Sequence, residues 1–311
     1  MGLLDGPRAR GAFLLRAIMN PPWSVRVQDR APLSLVAMMR GGAWVMPDDD
    51  EPVPLGPGDV AVTRGPDPFT FADDPATPPQ VVIHPGEHCT TPDGQDLAQA
   101  MDLGVRTWGN SAEGSTVMLV GAYQMRGEIS ERLLAVLPPL VVLRNDARDS
   151  PLIRLLAGEI VKDDPGQEAV LDRLLDLLLI AVLRAWFARP EADAPAWYRA
   201  HDDPVVGRAL RVIHNNPDHP WTVAALAAEV GVSRAALARR FAELVGEPPM
   251  TYLTGWRLAL AADLLREPDA TVSAVARQVG YASPFALSAA FKRVHGVSPR
   301  EHRVAALATA T

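Results

Sequence analysis

The carboxyl-terminal third of this chain contains one helical unit twice, and this repeat constrains the fold more than any other feature. The stretch "GVSRAALARRFAELVGEPP" occupies residues 231–249, and "GYASPFALSAAFKRVHGVSP" occupies residues 280–299. Five residues recur at an offset of 50: Ser233, Leu237, Phe241, Gly246 and Pro249 return as Ser283, Leu287, Phe291, Gly296 and Pro299. The recurrence predicts two copies of one supersecondary unit.

Each copy is typical of a helix-turn-helix. Gly231 and Gly280 follow an apolar helical segment and permit a left-handed turn, and Ala227 and Ala276 are small where two helices must approach closely. Hydroxyl residues that precede the helical segments predict four amino-terminal caps, at Thr222, Ser233, Thr271 and Ser283. A long helix that starts at Pro249 and ends before Pro268 is expected to join the copies.

Charge is distributed unevenly along the 311 residues, a length that favours two domains. Residues 205–311 hold twelve Lys and Arg against eight Asp and Glu, a net charge of +4, whereas residues 1–204 hold eighteen against twenty-nine, a net charge of −11. A basic module attached to an acidic body favours a polyanion partner for the module.

Other features of the composition exclude several classes of protein. The single cysteine, Cys89, excludes an internal disulfide framework and a multi-cysteine metal site. The start of the chain does not resemble a secretory signal, and the most apolar stretch, 170–188, carries four charged residues. We therefore expect a cytoplasmic protein with no membrane partner.

The amino-terminal body changes character along its length. Short alternating segments separated by Pro and Gly fill residues 23–124 and predict an antiparallel sandwich or barrel, and helical patterns follow from about residue 128. The Pro- and acid-rich segment 188–204 has the composition of a linker. The predicted fold class is α+β, with a sensing and dimerisation domain at 1–188, a linker at 189–204 and an all-α domain at 205–311.

Two resemblances extend this interpretation. Residues 205–303, through "WTVAALAAEVGVSRAALARRF" and "TVSAVARQVGYASPFALSAAFKRVHGVSPREHR", resemble the DNA-binding domain of AraC/XylS-type transcription regulators. Residues 3–188, through "GGAWVM", "PLGPGDVAVTRGPDPFTF" and "LLDLLLIAVLRAWFA", resemble the cupin-type sensor domain of one branch of that family. The resemblance implies that two recognition helices enter successive major-groove turns of one DNA face, about 34 Å apart.

The resemblance also places candidate DNA contacts on this chain. Arg239 can donate two hydrogen bonds to guanine, whereas Phe285 can contact thymine methyl groups or, alternatively, pack against its own domain. The base-reading candidates are Arg234, Ala235, Ala238, Arg239, Phe285, Ala286, Ser288 and Ala289. The phosphate candidates are Thr222, Arg240, Ser283, Lys292, Arg293, Arg300 and Arg303.

The sensor region leaves several hypotheses open. The strand before Gly41 and the segment after Asp59 lack the histidines of metal-binding cupins, and the His84–Glu87–His88 cluster is broken by Pro85 and Gly86, so no metal and no cofactor are predicted. Cys89 beside two histidines is a candidate redox sensor or a passive loop residue. Candidate effector-pocket residues, each equally compatible with a simple core role, are Met38, Trp44, Met46 and Phe69.

Together these features predict a non-enzymatic, sequence-specific transcription regulator that binds a double-stranded DNA operator. The family resemblance implies a homodimer formed through helices between 128 and 188, a small-molecule effector, and RNA polymerase as a further partner. In that family, the signal shifts which placements of the DNA-binding domains the linker permits. Competing hypotheses are a metal-dependent cupin enzyme with a helical accessory domain, a redox regulator acting through Cys89, and a helical module that binds a protein.

Overall fold

The computed structural model describes residues 13–86, 88–123, 127–144, 151–189, 192 and 194–308. The chain divides into two compact units. Among the described residues, one unit comprises residues 13–123 and 134–192, and the other comprises residues 127–133 and 194–308. The segment 127–133, which the sequence groups with the sensing domain, thus belongs to the unit that contains the repeat.

Two β-sheets form the amino-terminal unit. The described strands are β1 (Phe13–Met19), β2 (Ser24–Val27), β3 (Leu33–Arg40), β4 (Ala43–Pro47), β5 (Val53–Leu55), β6 (Val60–Arg64), β7 (Phe69–Ala72), β8 (Val81–His84), β9 (His88–Thr90), β10 (Asp102–Gly104), β11 (Thr107–Gly109), β12 (Thr116–Tyr123) and β13 (Leu140–Leu143). One sheet has the order β10-β11-β1-β12-β3-β6-β13, and the other has the order β5-β4-β7-β2-β8-β9. Most neighbours are antiparallel, whereas β1–β11 and β2–β8 are parallel pairs.

Side chains along each strand alternate between the two faces of its sheet. Those on the inner faces are apolar and form the core. Trp23, Val36, Val45 and Met118 belong to one continuous buried cluster that draws on both sheets. The predicted sandwich or barrel of short strands is therefore confirmed.

Two helices follow the sheets, α2 (Pro151–Glu159) and α3 (Gln167–Phe187). The face of α3 that contains Leu171, Leu175 and Leu179 is buried, and the Tyr123 hydroxyl donates a hydrogen bond to the carbonyl oxygen of Leu175 at 2.9 Å. None of the helices in the described part of the chain is long and apolar enough to cross a membrane.

One element of this region differs from the helical pattern expected after residue 128. Residues Leu140–Leu143 form β13, which pairs antiparallel with β6 from Leu140 opposite Thr63 to Leu143 opposite Val60. Four consecutive β-branched or leucine residues after two prolines suit an edge strand, and the pairing with β6 satisfies their backbone groups.

The carboxyl-terminal unit is helical throughout its described residues. Its helices are α1 (Glu128–Leu134), α4 (Ala196–Arg199), α5 (Val206–Asn215), α6 (Val223–Glu229), α7 (Arg234–Val245), α8 (Pro249–Leu264), α9 (Val272–Gln278), α10 (Pro284–His295) and α11 (Pro299–Ala308). A short 3₁₀ turn at Ala200–Asp202 follows α4. Part of the predicted linker is therefore ordered, and Ala200 is buried in the core of this unit.

The long helix α8 connects two cores. Leu253, Trp256 and Ala259 pack into a core that contains Leu237 and Phe241 of α7. On the next turns of α8, other side chains pack with the equivalent Leu287 and Phe291 of α10 in a second core. The two copies of the repeat therefore have separate cores joined by one helix, as the sequence predicts.

All four predicted caps are confirmed. The hydroxyl groups of Thr222, Ser233, Thr271 and Ser283 accept hydrogen bonds from backbone N–H groups three residues later, at 3.1, 3.2, 3.1 and 3.2 Å. Because the first N–H groups of a helix have no partner inside the helix, each cap stabilises its helix by about 1 kcal/mol.

Candidate nucleic-acid interface and barrel cavity

The turn between the paired helices is the same in both copies except for its length. Gly231 and Gly280 have φ angles of 76° and 77°, in the left-handed region that glycine adopts most easily. After each glycine the chain hydrogen-bonds back to the first helix, from Val232 N to Ala227 O at 2.9 Å and from Tyr281 N to Ala276 O at 2.8 Å. The offset between the copies is 49 before the turn and 50 after it, so the second turn is one residue longer.

In the first copy, the candidate base-reading residues lie on the outer side of α7. Leu237 and Phe241 are fully buried, which directs the opposite side of the helix to solvent. Arg234, Ala235 and Arg239 are exposed, and Ala238 is half-buried. The Arg239 side chain is 78% exposed, and its Nε atom lies 3.9 Å from Oε1 of Glu243, one turn further along α7.

In the second copy, an apolar side chain occupies the equivalent surface. Phe285 of α10 is 85% exposed, so the alternative in which it packs against its own domain is wrong. Ala286 and Ala289 are also exposed. Ser288 is half-buried, and its hydroxyl donates to the Pro284 carbonyl at 2.8 Å, which leaves little polar hydrogen-bonding capacity in the first turns of α10.

The phosphate candidates fall into two groups. Lys292, Arg293 and Arg300 are exposed. Arg240 is also exposed, but its Nε donates to Asp203 Oδ2 at 2.9 Å, and this hydrogen bond lowers the pKa of Asp203. Arg303 is half-buried and donates to the Pro268 carbonyl at 2.6 Å.

The hydroxyls among the phosphate candidates already have a structural role. Thr222 and Ser283 each cap a helix, and the cap uses the side-chain oxygen as an acceptor. The backbone N–H groups of the first turn are the remaining donors at these helix starts.

A carboxylate in the connecting helix was not found from sequence. Asp263 of α8 accepts hydrogen bonds from the backbone N–H groups of Glu128 at 2.6 Å and Ile129 at 3.3 Å, at the start of α1. Burial raises the pKa of Asp263 to about 6, although the two backbone donors favour its ionised form. Because 135 residues separate Asp263 from Glu128, no local pattern indicates this contact.

The sheets of the amino-terminal unit enclose a cavity of about 300 Å³. Side chains at alternate positions of β1 and β12 form much of one wall, and β2 and β7 contribute to the other. The lining residues are Phe13, Leu15, Ala17, Met19, Trp23, Val25, Val27, Asp29, Ser34, Val36, Phe69, Phe71, Ile83, Gly86, Cys89, Ala98, Trp108, Met118, Val120 and Ala122.

One of the four residues suggested for an effector pocket, Phe69, lines this cavity. Trp44 lies opposite Ala72 and Met46 lies opposite Thr70 in the β4–β7 pair. Directly opposed residues share a face of a sheet, and Phe69 lies one position from Thr70, so Trp44 and Met46 lie on the other face. Met38 is buried in the surrounding core and is outside the cavity lining.

The histidine cluster of the sensor region is engaged in hydrogen bonds. His84 Nε2 lies 2.9 Å from Thr90 Oγ1, and His84 Nδ1 lies 3.3 Å from Gln28 Nε2. His88 Nδ1 lies 3.4 Å from Asp96, and Glu87 lies outside the described residues. Within the described part of the chain, no group of three or more His, Cys, Asp or Glu side chains is arranged to hold a metal ion.

Comparison with known proteins agrees with both units. The family described as Cupin matches residues 1–188, and the family described as Helix-turn-helix domain matches residues 226–305. A putative AraC-like transcription regulator of Streptomyces lividans is 34% identical over 90% of this chain and 90% of its own length. The HTH-type transcriptional regulator MtrA of Neisseria gonorrhoeae is 26% identical over 97% of this chain and 96% of its own length.

A solved structure also matches the repeat. The DNA-binding domain of AdpA, a global transcriptional factor determined in complex with a target DNA, is 33% identical over 35% of this chain and 96% of that chain, with a TM-score of 0.33. The chain belongs to the AraC family of DNA-binding transcription regulators, with a cupin domain at its amino terminus.

Proposed function

We propose that this regulator reads its operator with two helices that use different chemistry. The single observation that carries the proposal is that Phe285 is 85% exposed at the start of α10, at the position equivalent to the exposed Ala235 of α7, whereas Pro284 occupies the position equivalent to the exposed Arg234. Burying an exposed aromatic ring against thymine methyl groups is favourable, whereas an arginine donates hydrogen bonds to guanine. On this proposal, α7 supplies most hydrogen-bonded readout and α10 supplies methyl contacts.

Phosphate contacts are assigned from the exposure of each basic side chain and from the protein acceptors that it already binds. Lys292, Arg293 and Arg300 are exposed and close in sequence to the end of α10 and the start of α11. We assign them to the DNA backbone and assign Arg240 and Arg303 mainly to structural contacts, because both already bind protein acceptors. Thr222 and Ser283 then act through the helix starts that they cap.

Dimerisation is proposed to use the helices of the amino-terminal unit. Leu155 of α2 and Leu177 of α3 are each 50% exposed, and Val161 and Val170 are 42% and 43% exposed. Val170 and Leu177 are seven residues apart and lie on one side of α3. An exposed apolar surface formed by helices is expected at a homodimer interface.

The cupin unit is proposed to bind a small-molecule effector in its cavity and to have no catalytic role. Aromatic and aliphatic side chains on the walls support this assignment. We further propose that the protein acts in the cytoplasm, where operator DNA and RNA polymerase are accessible. Cys89 lines the same cavity, so an oxidant that modifies it would act on the effector site itself.

The test is selection of bound fragments from sheared genomic DNA at physiological salt, followed by titration of the selected duplex at several salt concentrations. A regulator returns a shared sequence, and its affinity falls steeply with salt because phosphate contacts release counterions. Recovery of fragments without a shared sequence would contradict the proposal. A flat salt dependence would instead indicate that the helical unit binds a protein.

A further inference from the structure

The two copies of the helical repeat also contact each other outside α8. The loop of residues 216–221, which precedes α6 of the first copy, lies against the turn of the second copy. A Cβ atom built on Gly280 would lie 2.7 Å from the Cα atom and the carbonyl oxygen of Asp218. Because a side-chain carbon cannot approach backbone atoms this closely, the loop of the first copy requires glycine in the turn of the second.

Arg257 of α8 holds this loop in position. Its side chain is half-buried, Nε donates a hydrogen bond to the Pro217 carbonyl at 2.6 Å, and Nη2 donates to the His219 carbonyl at 2.7 Å. A Cβ atom on Gly280 would also lie 2.7 Å from this Nη2 atom, so the guanidinium borders the second turn as well. Hydrogen bonds from a charged, planar guanidinium are stronger and more directional than those between neutral groups. Arg257 therefore fixes the loop on both sides of Asp218.

The loop is also held together by its own side chains. The indole Nε1 of Trp221 donates to the Asn216 carbonyl at 2.9 Å, and the rings of His219 and Trp221 lie 4.1 Å apart. These contacts join the two ends of the loop. Its backbone therefore moves as one piece with Thr222, the residue that caps α6.

The helix α8 by itself is a less rigid connection between the copies. Its 16 residues span about 24 Å. Gly255, two residues before Arg257, lies in its interior. Glycine weakens the interior of a helix because it has more backbone freedom in the non-helical state than any other residue. A second connection between the copies limits the bending and twisting that α8 would otherwise permit.

The relative placement of α7 and α10 matters because the duplex is itself helical. The turn at Gly280 leads into α10, and the loop 216–221 leads through α6 to α7. One base pair inserted between two subsites moves one of them by about 3.4 Å along the duplex and by about 34° around it. Two helices in fixed relative positions cannot follow this displacement, whereas two loosely joined copies can.

We infer that Arg257 is a positioning residue: it fixes the separation and angle of α7 and α10, and it thereby restricts the operator to one spacing between the two subsites. The inference rests on the proposed function, in which both helices read DNA. It assigns a role in specificity to a side chain that donates to protein carbonyls.

The test uses the full-length protein and a duplex that carries one pair of subsites from the selected operator. The positions at which Arg239→Ala and Phe285→Ala change base preference define the two subsites. In two companion duplexes the spacer between them is one base pair shorter or longer, and fluorescence anisotropy measures each affinity. We expect either change to weaken binding of the unmodified protein roughly 10- to 100-fold, because one helix loses its base contacts. An affinity that does not change with spacer length would overturn the inference.

Arg257→Met keeps the aliphatic stem and removes the donors. It should bind the original operator roughly 3- to 10-fold more weakly, and the penalty for an altered spacer should fall to roughly threefold or less. Arg257→Lys retains a charged donor and should recover part of the spacing preference. Arg208→Met is the control: Arg208 lies on α5 beside Glu229, at 3.4 Å, so this variant removes one positive charge from the same unit and should keep the full spacing preference.

A structural role alone gives a different result. If Arg257→Met weakened binding to all three duplexes by the same factor, Arg257 would stabilise the unit or contact phosphate without setting the spacing, and the inference would be wrong. Circular dichroism shows whether the variant keeps its helices.

Asp218→Gly covers the case in which the Arg257 variant misfolds. It retains every carbonyl acceptor of the loop and increases the freedom of the backbone, so it should also reduce the spacing preference. A full preference in this variant would contradict the inference. Selection of a shared operator sequence tests the proposed function and the spacer series tests this inference, so the two can fail separately.

Discussion

Gly231 and Gly280 have the same backbone conformation and different surroundings. Their φ angles are 76° and 77°. A Cβ atom built on Gly231 meets no other atom of the described residues within 4 Å, whereas one built on Gly280 lies 2.7 Å from the Cα and carbonyl oxygen of Asp218. The two turns of the repeat therefore tolerate substitution differently.

We predict that Gly280→Ala destabilises the carboxyl-terminal unit more than Gly231→Ala. The Gly231 variant should lose only about 1–2 kcal/mol of unfolding free energy, because a residue with a Cβ atom is less stable than glycine in the left-handed conformation. The Gly280 variant must also displace the backbone of Asp218, which Arg257 holds in place by donating to Pro217 and His219. Chemical denaturation of both variants measures the difference, and equal losses of unfolding free energy would contradict this account of the second turn.

Asp263 is predicted to give the protein a distinctive pH dependence. Its pKa is raised to about 6 in the folded state, whereas the value in the unfolded chain is 3.8. The folded state therefore binds more protons between these values, and this group lowers the free energy of unfolding as pH rises from about 4 to 6. A difference of about two pKa units corresponds to at most about 3 kcal/mol.

The measurement compares Asp263→Asn with the unmodified protein by denaturation at several pH values. The comparison is needed because His214, whose pKa burial lowers to about 3, contributes the opposite slope between about pH 3 and 6.5. His214 is present in both proteins, so its contribution cancels in the difference. A difference that does not change between pH 4 and 7 would show that Asp263 titrates normally.

Leu177→Glu is predicted to convert the proposed dimer to monomers. A carboxylate at the centre of the exposed apolar side of α3 must be desolvated in the interface, and the same substitution in a monomer leaves it in water. Sedimentation velocity should show a monomer with unchanged helical content. Glu168→Ala is the control, because Glu168 lies on the opposite side of α3 and is exposed. Dimers that persist in the Leu177 variant would place the interface elsewhere.

Substitution of Arg239 and substitution of Arg293 should affect DNA binding in different ways. Arg239→Ala removes a bidentate donor and should relax base preference at one position by about 1–3 kcal/mol. Arg293→Ala should weaken binding to all sequences and reduce the slope of log affinity against log salt by about 1. Competition titrations with single-base variants of the selected operator, repeated at three salt concentrations, distinguish the two effects. If the two variants showed the same base preference and the same salt dependence, the assignment of Arg239 to a base contact and Arg293 to a phosphate contact would be wrong.

Local features of the repeat could be predicted from sequence because each is a short-range requirement of the backbone. Thr222, Ser233, Thr271 and Ser283 cap helices because a hydroxyl at that position can reach an N–H three residues later. The exposure of Phe285 was left open, because an aromatic residue in the first turn of a helix suits either a core or a contact surface.

Features that depend on the pairing of distant segments could not be predicted. Alternation shows that a strand has two faces, and it does not show which face is inner, so Trp44 and Met46 were candidates for the cavity while Trp23 and Trp108 were missed. Trp23, a large aromatic residue just after two prolines and just before a strand, could have been predicted to be buried. The contact of Asp263 with α1 has no signal in the sequence, because it joins a helix end to a residue 135 positions away.

The most direct test of the central claim, that the two helices read DNA by different chemistry, replaces single thymines of the selected operator with deoxyuracil, which lacks only the methyl group. Fluorescence anisotropy should show that the unmodified protein loses roughly three- to fivefold in affinity at one or two positions of the half-site read by α10, as expected for one buried methyl group. Phe285→Ala should bind the thymine and uracil operators equally, while Arg239→Ala should retain the difference. Equal affinity of the unmodified protein for thymine and uracil at every position would contradict the claim.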